Sequence, residues 1–193
     1  MNTPNKLTIT RIIATPFFMA ALMIEFPFHY TVAQILFNAA SLTDMIDGKM
    51  ARKYNMITDF GKFLDPLADK MLTTAAFLGF IKMGIGWQVT WIAFIVLFRE
   101  FLISSLRLVV VSSGGKVIAA NKRGKCKTVS QMAGIILALF AYVLISDFGI
   151  NNVVFVSVCN IIISILFWAS AVLCIISGVI YLKDSKEYID PSK

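Results

Sequence analysis

Ser41-Leu-Thr-Asp44-Met-Ile-Asp47-Gly48-Lys-Met-Ala51-Arg52, continued by Gly61, Asp65 and Asp69, is the stretch that decides the fold of this chain. It places four carboxylates between segments that are otherwise apolar enough to lie in a bilayer. An ionised aspartate inside the hydrocarbon costs on the order of 3 kcal/mol unless it is compensated. The stretch therefore predicts a site that holds positive charge between two apolar helices.

The spacing puts the polar residues of this stretch on two helix faces, at about 100° per residue. The first face carries Asp44, Asp47, Gly48, Ala51 and Arg52, and the second carries Gly61, Asp65 and Asp69 at i, i+4 and i+8. A tight reversal near Asn55 is expected to bring the two faces together at one end of an antiparallel helix pair.

The residue types at these positions indicate which ligands they bind. Carboxylate oxygens without His or Cys nearby suit Mg²⁺ or Mn²⁺ better than Zn²⁺. The small residues Gly48, Ala51 and Gly61 let a bulky ligand approach the backbone, and Arg52 can pair with a phosphate.

A second interpretation makes the aspartates helix caps and surface salt bridges around a charged loop. It accounts for Asp59 and Lys53. It does not explain why Asp65 and Asp69 lead directly into the apolar run from Met71 to Ile81.

Composition favours a membrane protein. The 193 residues are 58% hydrophobic and 15% charged, whereas soluble domains are about a quarter charged. Since about 20 apolar residues cross the hydrocarbon core, we expect one all-α integral membrane domain over residues 1–193, a bundle of six transmembrane helices. The expected spans are residues 7–25, 31–52, 59–82, 87–111, 129–145 and 153–182.

The distribution of charge predicts the orientation and excludes one class of partner. The formal net charge is +7, but the cations lie in connections on one side of the six spans, and the opposite connections hold only Lys82. By the positive-inside rule both termini and the acidic site face the cytosol. Anionic lipids and phosphate substrates are therefore the expected partners, and nucleic acid is not.

The remaining reactive side chains have simpler interpretations. Cys126, Cys159 and Cys174 have no metal-ligand spacing and are predicted to be free thiols in a reducing compartment. His29 lies in an aromatic turn and is predicted to be interfacial. The first segment contains Arg11 and no cleavage site, so we expect it to be retained.

Two further groups of charge have open roles. Arg99, Glu100 and Arg107 lie inside the fourth span and are expected to face the bundle interior. Arg99 either pairs with Glu100 or a motif aspartate, or binds a substrate phosphate. Arg107 either lies at the membrane interface or binds such a phosphate. Five cations between 116 and 127 either hold lipid headgroups or bind the phosphate of a polar substrate, and Lys125 and Lys127 are the nearest to the next helix start.

The spacing Asp44-x2-Asp47-Gly48-x2-Ala51-Arg52-x8-Gly61-x3-Asp65-x3-Asp69 resembles, without a departure, the signature of the CDP-alcohol phosphotransferases, integral membrane enzymes of phospholipid synthesis. The resemblance implies that the four aspartates hold two divalent cations, Mg²⁺ or Mn²⁺, which grip the pyrophosphate of a CDP-linked lipid. It implies that Asp69 is also the catalytic base for the incoming hydroxyl. Gly48, Ala51, Arg52 and Gly61 are then expected to bind the CDP-lipid, and the family's fold implies a homodimer.

Three flanking blocks resemble the bacterial branch of this family that makes phosphatidylglycerol phosphate from CDP-diacylglycerol and glycerol 3-phosphate, with release of CMP. They are residues 4–11, 99–107 and 115–128. An acceptor that carries a phosphate dianion requires a cationic pocket, for which we predict Arg11, Arg107, Lys125 and Lys127. A related transferase with another acceptor, as in cardiolipin synthesis, is the alternative. A metal-cation transporter fits poorly, because the aspartates lie at one end of two helices with Arg52 among them.

Overall fold

The computed structural model describes residues 2–53, 58–112, 122–150 and 152–185. Over these ranges the chain forms six helices and no strand, so the predicted all-α class is confirmed. The helices are α1 (Thr3–Met23), α2 (His29–Lys53), α3 (Asp59–Met83), α4 (Val89–Ser112), α5 (Lys122–Tyr142) and α6 (Val153–Asp184), and a π-helical turn, Val143–Asp147, extends α5.

Local sequence signals explain where several helices begin and end. The Thr58 hydroxyl accepts a hydrogen bond from the backbone N–H of Gly61, and the Asn152 side chain accepts from the first turn of α6. Such side chains satisfy backbone donors that have no partner inside the helix. Gly84 ends α3 with a φ of 67°, a left-handed conformation that glycine adopts without steric cost.

The helix α1 packs against both motif helices, α2 and α3, whereas α2 and α3 contact each other only slightly. The sequence predicts that the two motif helices face each other directly, but α1 lies against both instead. On the other side of the bundle α5 packs against α6, and α4 packs against α6 and α3. The aromatic core at these junctions includes Phe18, Phe37, Phe77, Phe80 and Phe167, none of which is exposed.

The packing of α5 against α6 depends on one small residue. A Cβ atom added at Gly134 would lie 2.7 Å from two carbons of the Phe167 ring. That ring is fully buried and contacts the rings of Phe77 and Phe80. Because the ring has no free space to move into, the two helices approach closely only with glycine at 134.

Contacts between chain connections define one end of the bundle. Asp147 accepts hydrogen bonds from the backbone N–H and the hydroxyl of Thr31, both at 2.7 Å. Lys82 donates to the backbone carbonyl of Met23 at 2.8 Å. The carboxyl ends of α1, α3 and α5 therefore meet the start of α2 here, and the acidic motif lies at the opposite end.

Three helical segments within the described ranges are long and apolar enough to cross a membrane: Thr3–Met23, Cys126–Asp147 and Val153–Asp184. Large apolar side chains on the outer surface, such as Phe94, Phe98 and Ile165, are exposed. This arrangement is that of a bundle with an apolar outer surface.

The beginning of α5 differs from the prediction. The polar residues before 129 are predicted to form a loop, but α5 already begins at Lys122. Lys and Arg are good helix formers, so a run of cations does not oppose a helix. Consequently Lys125 and Lys127 lie within the first turns of α5, and residues 113–121 lie outside the described part.

Candidate active site

Arg11 of α1 connects the first two motif aspartates. Its side chain is only 1% exposed. One terminal nitrogen donates to the carboxylate of Asp44, and the other donates to Oδ2 of Asp47 at 2.6 Å. The planar guanidinium suits this role because it presents several donors in a fixed fork. A buried cation therefore compensates two carboxylates of α2.

Thr8 extends this connection to the third aspartate. Its hydroxyl lies 2.9 Å from Oδ1 of Asp65 and 3.4 Å from Oδ2 of Asp47. A hydroxyl has one proton to donate, so it serves one of the two carboxylates at a time. Asp47 on α2 and Asp65 on α3 thus share one contact on α1, which lies one turn before Arg11.

A second contact of α1 explains Gly61. Asn5 donates from Nδ2 to the hydroxyl of Thr58 at 2.9 Å, and that hydroxyl caps α3 at Gly61. A Cβ atom at 61 would lie 2.8 Å from Oδ1 of Asn5. A side chain at 61 would have to displace the amide of Asn5. This is a packing reason for glycine here, in addition to the predicted ligand contact.

Asp69 lies on a different surface of α3, in a cavity of about 180 Å³ between α3, α4, α5 and α6. The polar side chains lining this cavity include Asp69, Thr73, Arg99, Glu100, Arg107, Lys127, Thr128, Gln131, Ser177, Tyr181 and Asp184. Asp44 is among the charged neighbours of Asp69. Asp69 therefore adjoins both the cavity and the cluster formed by Arg11, Asp44 and Asp47.

The cations of the cavity have different partners. Lys127 is buried and pairs with Glu100. Arg99 lies 3.5 Å from the same carboxylate and donates to the hydroxyl of Ser177 at 3.1 Å. Arg107 is exposed and makes no hydrogen bond or ion pair with the residues that the structure describes. Arg107 is therefore the cation of this cavity most available to an anionic ligand.

The predicted site residues thus fall into two groups. Asp44, Asp47, Asp65 and Arg11 lie together, and Asp69, Arg107 and Lys127 line the cavity. Arg11 contacts the aspartates and is not among the residues that line the cavity, where Arg107 and Lys127 lie. Gly48 is half-buried beside Asp47. The side chains of Ala51, Arg52 and Lys125 lie outside the described part.

The carboxylates fit divalent cations by their chemistry, but they do not form a ready coordination sphere. All four predicted ligands offer the oxygen donors that Mg²⁺ and Mn²⁺ prefer. Among the described side chains, no three from His, Cys, Asp and Glu are grouped so as to hold a metal ion. The guanidinium of Arg11 occupies the cation position between Asp44 and Asp47. These residues therefore bind positive charge, and a metal ion would share or replace the contacts of Arg11.

Sequence reasoning missed several residues of these two groups. Thr8 belongs to the flanking block of residues 4–11, and it lies three residues before Arg11 and so on the same face of α1. Gln131 lies four residues after Lys127 and on its face of α5, a spacing that could have identified it. Ser177 and Tyr181 occur in an apolar span with no pattern that marks them.

Residues 1–176 match the family model of the CDP-alcohol phosphatidyltransferases, and the chain belongs to this family.

Curated relatives agree on a particular activity. A protein of Bacillus subtilis is 35% identical over 203 residues, covering 99% of this chain and 98% of the relative. One of Rickettsia bellii is 38% identical over 191 residues, covering 97% of each. One of Salmonella paratyphi A is 37% identical over 135 residues, covering 69% of this chain and 74% of the relative. Each is named CDP-diacylglycerol--glycerol-3-phosphate 3-phosphatidyltransferase.

We predict that Arg11→Met destabilises the metal-free protein by about 3 kcal/mol, since removing one partner of a buried ion pair leaves an uncompensated charge. Asp47, whose side chain is 5% exposed, then lacks its counter-charge. Thermal unfolding in detergent with a chelator measures the loss.

Lys82→Met is the matched control, because Lys82 also contacts α1 but is exposed. We expect its unfolding temperature to change little. Equal losses in the two variants would contradict the role assigned to Arg11.

Proposed function

We propose that this chain transfers the phosphatidyl group of CDP-diacylglycerol to glycerol 3-phosphate, giving phosphatidylglycerol phosphate and CMP. Family membership supports the reaction class, and the names of the relatives support this donor and acceptor. The single observation that carries the proposal for this chain is that Asp69 shares one cavity with Arg107 and Lys127. A carboxylate that can accept a proton and cations that can bind a phosphate thus adjoin the same space.

The reaction follows from these two kinds of group. Asp69 takes the proton of the acceptor's free hydroxyl. The acceptor oxygen then forms a bond to the phosphorus that bears the diacylglycerol, and the bond from that phosphorus to the oxygen of CMP breaks. Arg107 and Lys127, with Lys125, bind the acceptor's own phosphate and orient its hydroxyl toward Asp69.

The donor is proposed to bind on the α1 side of Asp69. Asp44, Asp47, Asp65 and Asp69 would hold two divalent cations, Mg²⁺ or Mn²⁺. When bound, such ions neutralise the pyrophosphate and stabilise the charge on the leaving CMP. Gly48, Ala51, Arg52 and Gly61 are proposed to contact the CDP-lipid. In this proposal Arg11 holds Asp44 and Asp47 in place and does not bind the acceptor phosphate.

The pairing of Lys127 with Glu100 bears on the choice of acceptor. Arg99, Arg107 and Lys127 face three carboxylates in the same cavity, Asp69, Glu100 and Asp184. A neutral acceptor would not change the equal number of positive and negative side chains in the cavity. A phosphate dianion, in contrast, would compete with Glu100 for the ammonium group of Lys127. Another phosphatidyl acceptor therefore stays the alternative, and measurements with different acceptors distinguish the two.

We further propose that all six helices cross the membrane as one domain and that the active site faces the cytosol. The three long apolar helices and the positive-inside distribution support this orientation. The exposed apolar outer surface supports lipid as a partner.

The homodimer stays a prediction from the family resemblance. A cation-transport path is disfavoured, because Arg11 lies between two of the carboxylates that would form it.

We predict that purified protein releases CMP from CDP-diacylglycerol only with glycerol 3-phosphate and Mg²⁺ or Mn²⁺ present. Asp69→Asn should lower kcat by about 10²- to 10⁴-fold, since the amide cannot accept the proton. Nucleotide release and labelled lipid product measure both effects.

Glu25→Gln is the control carboxylate, because Glu25 is exposed beyond the far end of α1. Its activity should match that of the unaltered protein. Full activity in Asp69→Asn would exclude the proposed base, and full activity after chelation would exclude the proposed cations.

We predict that Arg107→Ala raises KM for glycerol 3-phosphate by about 10- to 100-fold, because a charge-assisted hydrogen bond to the phosphate contributes roughly 1.5–3 kcal/mol. The KM for CDP-diacylglycerol should stay unchanged. Lys183→Ala removes an exposed cation near the end of α6 that does not line the cavity, and it should change neither value. An unchanged acceptor KM in Arg107→Ala would contradict the assignment.

We predict that a membrane-impermeant maleimide modifies Cys126 only from the cytosolic side of the membrane. Cys126 is exposed near the start of α5, whereas Cys174 is buried. A variant with Cys126 as its only cysteine, labelled in right-side-out and inverted vesicles, measures this. Modification from the opposite side would overturn the proposed orientation.

A further inference from the structure

Within the part of the chain that the structure describes, three buried polar atoms of cavity-lining residues have no hydrogen-bond partner: Oε1 of Gln131, the hydroxyl of Tyr181 and Nε of Arg99. A buried polar group without a partner costs about 1–3 kcal/mol. Such groups are few in folded proteins, and each requires an explanation. All three belong to residues that line one charged cavity, where a bound polar ligand or water would supply the missing partner.

Of these three residues, Gln131 has the position that is most easily related to the charged side chains of the cavity. It is only 3% exposed and lies one helical turn after Lys127 on the same face of α5. Residues at this spacing have Cβ atoms about 5–6 Å apart. A ligand whose phosphate contacts Lys127 therefore presents to Gln131 a group a few bonds away from that phosphate.

The proposed acceptor has such a group. Glycerol 3-phosphate carries a phosphate at one end, the reacting hydroxyl at the other and a second hydroxyl on the central carbon. The cavity offers cations for the phosphate and Asp69 for the reacting hydroxyl. The central hydroxyl is the polar group of the ligand that has no partner in this arrangement. The amide of Gln131 is a polar group in the cavity wall that can serve as that partner.

We propose that Gln131 accepts a hydrogen bond from the central hydroxyl of the acceptor and thereby selects a polyol phosphate. This inference rests on the proposed function and deepens it. The amide oxygen is closed to solvent before the ligand binds. Rotation about the last torsion of a glutamine side chain is soft, so the amide can turn toward a bound hydroxyl. A site built to bond a hydroxyl discriminates strongly against a ligand that lacks it, because its own polar group is then left unpaired.

The first test uses the unaltered protein and two acceptors. 3-Hydroxypropyl phosphate retains the phosphate and the reacting hydroxyl of glycerol 3-phosphate but lacks the central one. We expect kcat/KM to be about tenfold or more higher for glycerol 3-phosphate, the ratio that one buried hydrogen bond of roughly 1.4 kcal/mol supplies. Equal values for the two acceptors would overturn the inference without any variant.

The second test uses Gln131→Met, which keeps the length of the side chain but removes the amide. The preference should fall to about twofold or less, through a KM for glycerol 3-phosphate that rises about tenfold. The KM values for the analogue and for CDP-diacylglycerol should stay unchanged. Gln34→Met is the matched control, because Gln34 also has a buried unpaired Oε1 but does not line the cavity. It should keep the full preference.

Other outcomes have definite meanings. An equal loss with both acceptors in Gln131→Met assigns Gln131 a structural role and overturns the inference. If that variant does not fold, Gln131→Asn replaces it, and a preference as large as that of the unaltered protein then overturns the inference. A failure of the proposed function is different, because the unaltered protein would then release no CMP with either acceptor.

Discussion

The contact of one guanidinium with two carboxylates is the constraint on which the acidic end of this structure depends. Arg11 is almost completely buried, and so is Asp47. A buried charge without a partner is far more costly than a buried pair. The helix that carries Arg11 must therefore lie against α2, and Thr8 on the same face brings it against α3 as well. The first helix is thus the element that assembles the acidic motif.

The two sets of predicted site residues, those around Arg11 and those lining the cavity, meet at α3. Asp65 contacts α1, whereas Asp69, one turn later, lines the cavity between α3 and the second half of the bundle. The small angular change between these two positions suffices to divide them, since four residues advance slightly more than one full turn. In the proposed function, a donor bound at Asp65 and an acceptor bound at Asp69 would therefore react across a single turn of helix.

The sequence was sufficient to predict the helices and their polar faces, but not which helices pack against each other. Hydrophobic periodicity and length predicted the helices, and the charge cost of four aspartates in an apolar setting predicted a site at these positions. Spacing assigns residues to a face of their own helix but does not say which helix lies opposite. For this reason Arg11 was predicted to bind the acceptor, although it contacts Asp44 and Asp47. The spacing from Lys127 places Gln131 on the same helix face, but only the structure shows that its amide oxygen has no partner among the described residues.

The order of the chain adds a consequence for biosynthesis. Arg11 precedes Asp44 by 33 residues. At translation rates of about 5–20 residues per second, the cation leaves the ribosome roughly two to seven seconds before its first partner. During that interval α1 carries an unpaired charge that opposes its entry into lipid. In the proposed membrane bundle, the nascent chain therefore gains most by inserting α1 together with α2, which carries both partners of Arg11.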